Sequence, residues 1–363
     1  MNITYILLIA TFLVSLISSI AFAYLSGRSS LGNDLSVGVQ KVHKKTTSRL
    51  GGVGLVLGVG FFLFFSSQIN STSSSIHFSL LLFLSSIPIF MGGLLEDLTH
   101  AVSPRIRLLL AILSANCFWF FCNIGVERTD VLPIDWLLQW PFWAYLVTNV
   151  VIAGFTHSIN IIDGLNGLAS SQILLMLIFF SLICFNYNET ELLFYCLSLI
   201  AVSLAFFSQN WPLGKIFLGD GGSYFLGSNV VYIGLALVHR HSDLSPFTPI
   251  MLGLYPLIEA LFSIYRRVWV RNQSMNNPDA LHLHSLIYQR IIKKKYENHS
   301  SPLLNSKVAI YFFFTSFFFD ILSFFYQDNT KALFLFFTTF IFLYIAVFKR
   351  IVNFKFRLFN LLR

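Results

Sequence analysis

The sequence predicts an all-α protein that crosses a membrane about eleven times, and three observations lead to this fold class. Of the 363 residues, 56% are hydrophobic and only 11% are charged, whereas a soluble domain carries about 25% charged residues. Apolar stretches long enough to cross the hydrocarbon core, about 20 residues, recur along the whole chain. Most polar residues and glycine clusters lie between these stretches. We therefore expect a single integral membrane domain over residues 1–363.

The predicted spans are joined by short connections, apart from one long basic segment at 266–307. No internal repeat interrupts the pattern. The approximate bounds of the spans are 3–25, 51–67, 77–95, 106–124, 137–156, 167–187, 191–209, 222–239, 247–265, 308–325 and 332–348.

The positions of Lys and Arg predict the orientation of the spans. Inside loops of membrane proteins are enriched in these two residues. If the N-terminus lies outside, all but three of the 24 Lys and Arg residues fall on inside segments, and the exceptions are Arg128, Arg240 and Lys331. We therefore expect a periplasmic N-terminus, a cytoplasmic C-terminus and a cytoplasmic 266–307 loop. The same distribution accounts for the net charge of +8, so nucleic-acid binding need not be invoked.

Five clusters of polar residues and glycines fall on the predicted inside connections, and the first is Gly38–Gly52. It combines Lys41 and Arg49 with a glycine pair at the start of a span. Cations and the backbone N–H groups of a helix start both suit phosphate. The alternative is an ordinary basic loop on the inside face.

The second cluster places two adjacent acids, Glu96 and Asp97, at the end of a span. Arg105 and Arg107 follow within about ten residues. Adjacent carboxylates can approach a divalent cation, and one of them can act as a base. The alternative is a solvated acidic turn at a helix end.

The third cluster contains Asn160, Asp163 and Asn166, which recur every three residues between apolar neighbours. A helical turn would place the three side chains on one side. Mg²⁺ favours oxygen ligands of this kind and keeps waters and substrate phosphates in its shell. The cluster therefore indicates a metal and phosphate site rather than a purely structural turn.

The fourth cluster is a glycine-rich turn before the next span, with Asn210, Phe217 and Asp220. Glycines and amide donors suit a phosphate-holding turn. Asp220 would repel phosphate unless a cation lies between them, so the turn again implies a metal. The ring of Phe217 could stack on a base. A tight interhelical turn is the structural alternative.

The fifth cluster lies in the long basic loop and contains His282, His284 and Arg290. A His-x-His pair can bind zinc, but a structural zinc site needs four ligands and neither Cys nor a third His lies at a useful spacing. Contacts with phosphate or sugar hydroxyl groups are the expected role.

These clusters, in this order, resemble the polyprenyl-phosphate N-acetylhexosamine-1-phosphate transferases, in glycosyltransferase family 4. The resemblance extends from about Lys41 to Arg290. It rests on Asn-x-x-Asp-Gly-x-x-Gly-Leu at 160–168 and Phe-x-Gly-Asp-x-Gly-Ser at 217–223. Val-Ser-Pro-Arg at 102–105 and Asp-Ala-Leu-His-Leu-His at 279–284 most resemble the branch that starts O-antigen and related surface glycans.

The resemblance implies a Mg²⁺-dependent reaction, with Mn²⁺ as an alternative, in a bacterial inner membrane with the site facing the cytoplasm. An oxygen of polyprenyl (undecaprenyl) phosphate would attack the β-phosphorus of a UDP-N-acetyl sugar, and UMP would leave. A homodimer remains open. By motif match, Asn160 and Asp220 would hold the metal, Asp163 would support the metal centre, and Glu96 or Asp97 would orient or deprotonate the lipid phosphate. The uridine end would be bound by Asn166, Asn210 and Phe217, and phosphates by Lys41, Arg49, Arg105 and Arg107. The diphosphate and sugar pocket would be shaped by His282, His284 and Arg290.

The chain departs from the family pattern at Glu96, where Asp is usual, at Asn166, where Asp is common, and in a first loop that lacks prolines before Arg49. Two other functions remain as alternatives. A UDP-MurNAc-pentapeptide transferase would carry a longer His run than the one present. A lipid or glycan transporter would more often place its polar groups near the bilayer midplane. The identity of the N-acetyl sugar stays open.

Overall fold

The structure is a computed structural model that describes residues 2–29, 32–34, 47–69, 75–270, 281–296 and 302–353. Within these ranges it is a bundle of helices, ten of which are long and apolar enough to cross a membrane. In chain order the helices are α1 (Asn2–Ser29), α2 (Gly51–Ile69), α3 (Ser75–Thr99), α4 (Pro104–Cys122), α5 (Leu132–Leu138), α6 (Pro141–Ile162), α7 (Leu168–Asn186), α8 (Thr190–Asn210), α9 (Gly219–Arg240), α10 (Phe247–Leu252), α11 (Leu254–Tyr265), α12 (Leu283–Ile287), α13 (Lys293–Lys295), α14 (Pro302–Phe325) and α15 (Thr330–Val352), with π-helical turns at Arg266–Val270 and Tyr288–Ile292.

The predicted all-α polytopic class is confirmed, and ten of the predicted spans are single long helices. The segment predicted as a span at 247–265 is instead two short helices, α10 and α11, which meet at Gly253. A Cβ at Gly253 would lie 2.3 Å from the ring of Phe155 in α6, so a glycine is required there. Pro256, in the first turn of α11, has no N–H to continue a helix across the break.

Two small elements were not predicted from the sequence. The first is α5, a seven-residue helix between α4 and α6 whose Trp136 side chain is exposed. The second is a two-residue antiparallel ladder of β1 (Asn33–Asp34) and β2 (Thr47–Ser48). The ladder leads directly into Arg49, whose N–H donates to the carbonyl of Gly32 at 2.8 Å, and so fixes where the chain enters α2.

The start of α9 is held by close backbone contacts with α2 and α3. A Cβ on Gly52 would lie 2.4 Å from the nitrogen of Gly222, and a Cβ on Gly93 would lie 2.4 Å from the nitrogen of Gly221. Small residues allow helix backbones in a membrane to approach one another in this way. The contacts fix the end of the bundle where α2, α7 and α9 begin and α3, α6 and α8 end, which we call the site end.

Candidate functional site

Charged and amide side chains from four segments meet around Asp220, the second residue of α9. Arg49 precedes α2 and Arg107 lies in the first turn of α4. Asn160 lies in the last turn of α6 and Asp97 in the last turn of α3. All four are within hydrogen-bonding distance of the side chain or backbone of Asp220. The first four predicted clusters thus contribute to one site end.

The carboxylate of Asp97 holds the beginning of α9. Its Oδ1 accepts the backbone N–H of Asp220 at 3.0 Å, and its Oδ2 accepts that of Gly221 at 2.9 Å. The first N–H groups of a helix have no partner within the helix, and a negative charge there is stabilised by the helix dipole. Arg49 Nε lies 3.1 Å from Asp97 Oδ1. The buried Asp97 side chain is therefore occupied in positioning α9.

The carboxylate of Asp220 is shared among two guanidinium groups and one amide. Arg49 Nη2 lies 2.9 Å from Oδ1, and Arg107 Nη1 binds Oδ2. Asn160 Nδ2 donates to Oδ1 at 3.0 Å and also to Ser223 Oγ at 2.9 Å. The two residues that the resemblance assigns to the metal therefore touch each other directly, and two arginines flank them.

Asp163 follows the last residue of α6 and adds a third carboxyl group near the site. Loss of hydration raises the pKa of Asp163 well above its ordinary value of 3.8. The positive charge of Arg49 opposes this change, and the carboxylates of Asp220 and Asp97 add to it. A further positive charge at the site would therefore favour the ionised form of Asp163.

The donor groups at the site end fit Mg²⁺ better than zinc. Within the described residues, no group of three or more His, Cys, Asp and Glu side chains is arranged to hold a metal by itself. Mg²⁺ is commonly held by one or two carboxylates together with waters and substrate phosphates. Asp220, with the amide of Asn160 beside it and Asp163 nearby, supplies oxygen donors of this kind.

The turn after α6 corrects one prediction about the third cluster. The helix ends at Ile162, so Asn166 does not continue the helical face of Asn160. Asn166 instead donates through its N–H to Asn305 Oδ1 at 2.8 Å and through Nδ2 to the carbonyl of Pro212 at 3.3 Å. The buried Oδ1 of Asn166 has no hydrogen-bond partner among the described residues. The protein encloses this atom, so the predicted contact of Asn166 with uridine stays a prediction.

Asn210 joins the turn before α7 to the turn before α9. Its Oδ1 accepts the N–H of Gly167 at 2.7 Å, and its Nδ2 donates to the carbonyl of Ile216 at 2.8 Å. Both polar atoms of this buried amide are used within the protein. Asn210 therefore fixes the wall beside Asn166, whatever contact it makes with a substrate.

The predicted phosphate role of the Gly51–Gly52 pair is not borne out by its hydrogen bonds. The two N–H groups donate to the carbonyls of Phe217 and Leu218 at 3.1 and 3.0 Å. The N–H of Phe217 donates to the carbonyl of Ser48 at 2.8 Å, and its ring is half-buried. These bonds attach the turn before α9 to the start of α2.

The remaining predicted residues of the first two clusters either take no part in the hydrogen bonds and ion pairs of Asp220 or fall outside the described residues. Glu96 is half-buried and accepts the N–H of Val102 at 2.8 Å through Oε2. Arg105 is exposed in the first turn of α4. Lys41 falls outside the described residues, so its predicted phosphate contact stays a prediction.

The fifth cluster packs against the turn after α6. His284 is buried, and its Nε2 lies 3.5 Å from the position that a Cβ would take on Gly164. The Nδ1 of His284 lies 2.9 Å from the hydroxyl of Tyr255. Burial lowers the pKa of His284 to about 3, although the charge of Glu259 opposes this change. The His-x-His segment therefore borders Gly164 with a neutral imidazole.

Arg290, in the turn Tyr288–Ile292, contacts the C-terminal end of α15. Its Nη1 donates to the carbonyls of Ile351 and Val352 at 2.8 and 2.7 Å. These are carbonyls of the last turn of α15, which lack partners within the helix and attract cations. The predicted contact of Arg290 with a diphosphate is not tested by this arrangement.

Sequence reasoning did not assign a role to Glu259, Tyr224 or Ser223. Tyr224 Oη lies 3.5 Å from Arg107 Nη1, and Ser223 accepts from Asn160. The sequence does mark Glu259 as functional or paired, because it is a lone acid within an apolar stretch and such residues are costly in a membrane unless they are paired. Tyr224 had no comparable signal, since aromatic residues are common throughout the spans.

Residues 79–238 match a family described as glycosyl transferase family 4. A Bacillus subtilis (strain 168) protein named probable undecaprenyl-phosphate N-acetylglucosaminyl 1-phosphate transferase is 28% identical over 252 residues, which cover 68% of this chain and 66% of that protein. The chain thus matches just under two thirds of the length of this relative.

Two streptococcal relatives carry the name phospho-N-acetylmuramoyl-pentapeptide-transferase. The one from Streptococcus pneumoniae serotype 2 (strain D39 / NCTC 7466) is 28% identical over 63% of this chain and 72% of its own length. The one from Streptococcus suis (strain 05ZYH33) is 27% identical over 61% of this chain and 66% of its own length. The family match and these relatives confirm the resemblance of this chain to the polyprenyl-phosphate hexosamine-1-phosphate transferase superfamily.

Proposed function

We propose that this protein transfers an N-acetyl-amino-sugar 1-phosphate from a UDP-sugar to undecaprenyl phosphate, releases UMP, and thereby initiates a lipid-linked O-antigen or related surface glycan. The observation that carries the proposal is the meeting of Asp220, Asn160, Arg49 and Arg107 at the ends of membrane-spanning helices. A soluble nucleotide sugar and a lipid head group can both reach such a place.

The reaction needs positioning and charge neutralisation more than covalent chemistry by the protein. An oxygen of the lipid phosphate forms a bond with the β-phosphorus, while the bond from that phosphorus to the bridging oxygen breaks and UMP leaves with the electron pair. Asp220 and Asn160, supported by Asp163, would hold Mg²⁺. When bound, the ion would neutralise part of the negative charge of the diphosphate. Arg49 and Arg107 lie where they can pair with phosphate oxygens as well as with Asp220.

The remaining residues of the site have roles in orientation. Asp97 holds the start of α9, and with it Asp220, in place. The resemblance assigns Asn166 and Phe217 to the uridine end, and the half-buried ring of Phe217 could stack on uracil. Glu96 is only half-buried and lies in the last turn of α3 beside Asp97. We therefore assign to Glu96 the orientation or deprotonation of the lipid phosphate.

An apolar cavity could hold the lipid chain of the acceptor. A cavity of about 280 Å³ lies between α11, α12, α14 and α15, and its walls include Tyr255, Leu283 and Phe312. Tyr255 also binds His284, so the cavity adjoins the His-x-His segment. The excess of Lys and Arg on this side of the spans supports a cytoplasmic site in the inner membrane.

A second donor remains a candidate because of the streptococcal relatives. Their names specify phospho-N-acetylmuramoyl-pentapeptide transfer, at an identity equal to that of the Bacillus subtilis relative. The fifth cluster, with two histidines rather than a longer run, favours the simpler N-acetyl sugar.

The proposed function is tested by UMP release from purified protein in detergent with undecaprenyl phosphate. The donors are UDP-GlcNAc, UDP-GalNAc, UDP-FucNAc, UDP-QuiNAc and UDP-MurNAc-pentapeptide, each with and without Mg²⁺. We expect release that requires the lipid and Mg²⁺ and that Asp220→Ala abolishes. Turnover with the pentapeptide donor alone would select the second candidate, and folded protein inactive with every donor would contradict the proposal.

A further inference from the structure

The carboxylate of Asp220, which the proposed function assigns to the metal, is already the partner of two arginines. Its Oδ1 accepts from Arg49 Nη2 at 2.9 Å and from Asn160 Nδ2 at 3.0 Å, and its Oδ2 is bound by Arg107 Nη1. The two oxygens of a carboxylate offer about four acceptor positions. A cation that binds Asp220 therefore competes with the arginines for the same oxygens and is repelled by their charge.

The two arginines differ in how firmly the protein holds them. Arg49 joins two carboxylates, because its Nη2 binds Asp220 and its Nε lies 3.1 Å from Asp97 Oδ1. The backbone N–H of Arg49 also donates to the carbonyl of Gly32 at 2.8 Å. Within the described residues, Arg107 forms an ion pair with one carboxylate, that of Asp220. Arg107 is therefore the arginine that a cation displaces at the smaller cost to the fold.

The guanidinium of Arg107 also has a donor that the protein does not use. Its Nε is buried and has no hydrogen-bond partner among the described residues. Its Nη1 lies 3.5 Å from the hydroxyl of Tyr224, which is at the outer limit of a hydrogen bond. A buried donor without a partner is costly. If the side chain moves from the carboxylate to a phosphate, Nε and an Nη nitrogen can bind two phosphate oxygens together.

We propose that Arg107 excludes a free divalent cation from Asp220 and gives up this carboxylate only when a diphosphate arrives with the cation. The proposal rests on the proposed function and deepens it, because it sets the order in which the metal and the UDP-sugar bind. A cation alone must break the ion pair and leave the guanidinium without a counter-charge. A cation that carries a diphosphate supplies the new partner at the same time. Arg107 therefore couples the binding of the metal to that of the diphosphate.

The test uses Arg107→Gln, which removes the charge and keeps a hydrogen-bond donor. Arg105→Gln is the matched control for metal binding alone, because it removes the same charge from an exposed residue in the same first turn of α4. Both variants keep Asp220, Asn160 and Arg49. A difference between them therefore reports on the contact of Arg107 with Asp220 rather than on net charge.

The first measurement is binding of Mn²⁺ to the full-length protein in detergent without nucleotide, followed by the EPR signal of free Mn²⁺. Mn²⁺ stands in for Mg²⁺ because both prefer octahedral oxygen ligands. We expect a Kd of about 1 mM or weaker in the wild type and in Arg105→Gln. Binding should be about tenfold tighter or more in Arg107→Gln, because the competing charge is lost. Adding Asp220→Ala to Arg107→Gln should abolish this gain.

The second measurement repeats the titration with UDP, which supplies a diphosphate without the sugar. Free Mn²⁺ and its complex with UDP in solution are counted separately. In the wild type, UDP should tighten the binding of Mn²⁺ by about tenfold or more, since UDP gives Arg107 a new partner. The same factor should be clearly smaller in Arg107→Gln and unchanged in Arg105→Gln.

Three results would overturn the inference. They are micromolar binding of Mn²⁺ alone by the wild type, unchanged or weaker binding in Arg107→Gln, and an equal gain in Arg105→Gln, which would show a general effect of charge. The wild-type titrations need no variant, so the inference is tested even if Arg107→Gln fails to fold. No titration contains the lipid or a donor sugar. Absence of turnover with every donor would therefore reject the proposed function and leave the competition at Asp220 to be decided by Mn²⁺ binding.

Discussion

The substitution Asp97→Asn separates a positioning role of Asp97 from a direct role in the reaction. The two oxygens of the carboxylate accept the N–H groups of Asp220 and Gly221, and Arg49 lies 3.1 Å away. An asparagine offers one acceptor oxygen in place of two. One buried N–H at the start of α9 would therefore face an NH₂ group and lose its partner.

The expected cost of Asp97→Asn follows from these contacts. A buried donor left without a partner costs about 1–3 kcal/mol, and a negative charge at a helix N-terminus contributes about 0.3–2 kcal/mol. We expect the free energy of unfolding to fall by about 2–4 kcal/mol. Since the start of α9 carries Asp220, a displacement of about 1 Å would also lower kcat by about 100-fold.

The assay combines thermal unfolding in detergent with UMP release, and Glu96→Gln is the matched control for the unfolding measurement alone. Glu96 accepts one backbone N–H through Oε2, and glutamine keeps an acceptor oxygen. We therefore expect Glu96→Gln to change the free energy of unfolding by less than about 1 kcal/mol. If Asp97→Asn were as stable as the wild type and still inactive, the carboxylate would act in the chemistry itself, and the positioning argument would be refuted.

Two further predictions concern the same end of the bundle. Gly93→Ala should lower the unfolding temperature and abolish UMP release, because the added Cβ would lie 2.4 Å from the nitrogen of Gly221. Gly154→Ala is the control: its Cβ would have no atom within 4 Å, so the variant should be as stable as the wild type or slightly more stable. Equal effects of the two substitutions would contradict the close-contact argument. Asp163→Asn should be inactive yet more stable than the wild type at pH 7 without metal. The raised pKa of Asp163 means that the wild type loses stability as pH rises from 3.8 through that raised pKa, and asparagine does not titrate, so unfolding curves should coincide near pH 3.8 and separate above it.

The class of the fold and the meeting of the first four clusters were predictable from the sequence for a simple reason. Apolar stretches of membrane length leave few places for polar groups, and alternate connections must return to the same face. Residues 60 positions apart, such as Asn160 and Asp220, are therefore brought to the same end before any packing detail is known. Their direct contact at 3.0 Å bears out that expectation.

The break at Gly253 and the local contacts of the glycines were not predictable in the same way. The hydropathy of 247–265 is that of a span, and the break at Gly253 is explained by the close approach of Phe155 together with the missing N–H of Pro256. Likewise, the glycine pair before α2 resembles a phosphate turn in sequence, but its N–H groups bind the carbonyls of Phe217 and Leu218. Such contacts depend on which helices become neighbours, and a single sequence does not contain that information.

The charges at the site end explain why the carboxyl groups can lie so close together. Asp97 and Asp220 are balanced by the two guanidinium groups of Arg49 and Arg107, so these four side chains carry no net charge. Burial raises the pKa of Asp163, and the charge of Arg49 opposes this change only in part. A diphosphate entering alone would meet three carboxyl groups, whereas a diphosphate entering with a divalent cation would bring the charge that Asp163 needs to ionise. Under the proposed function, we therefore expect the nucleotide sugar to bind together with its cation.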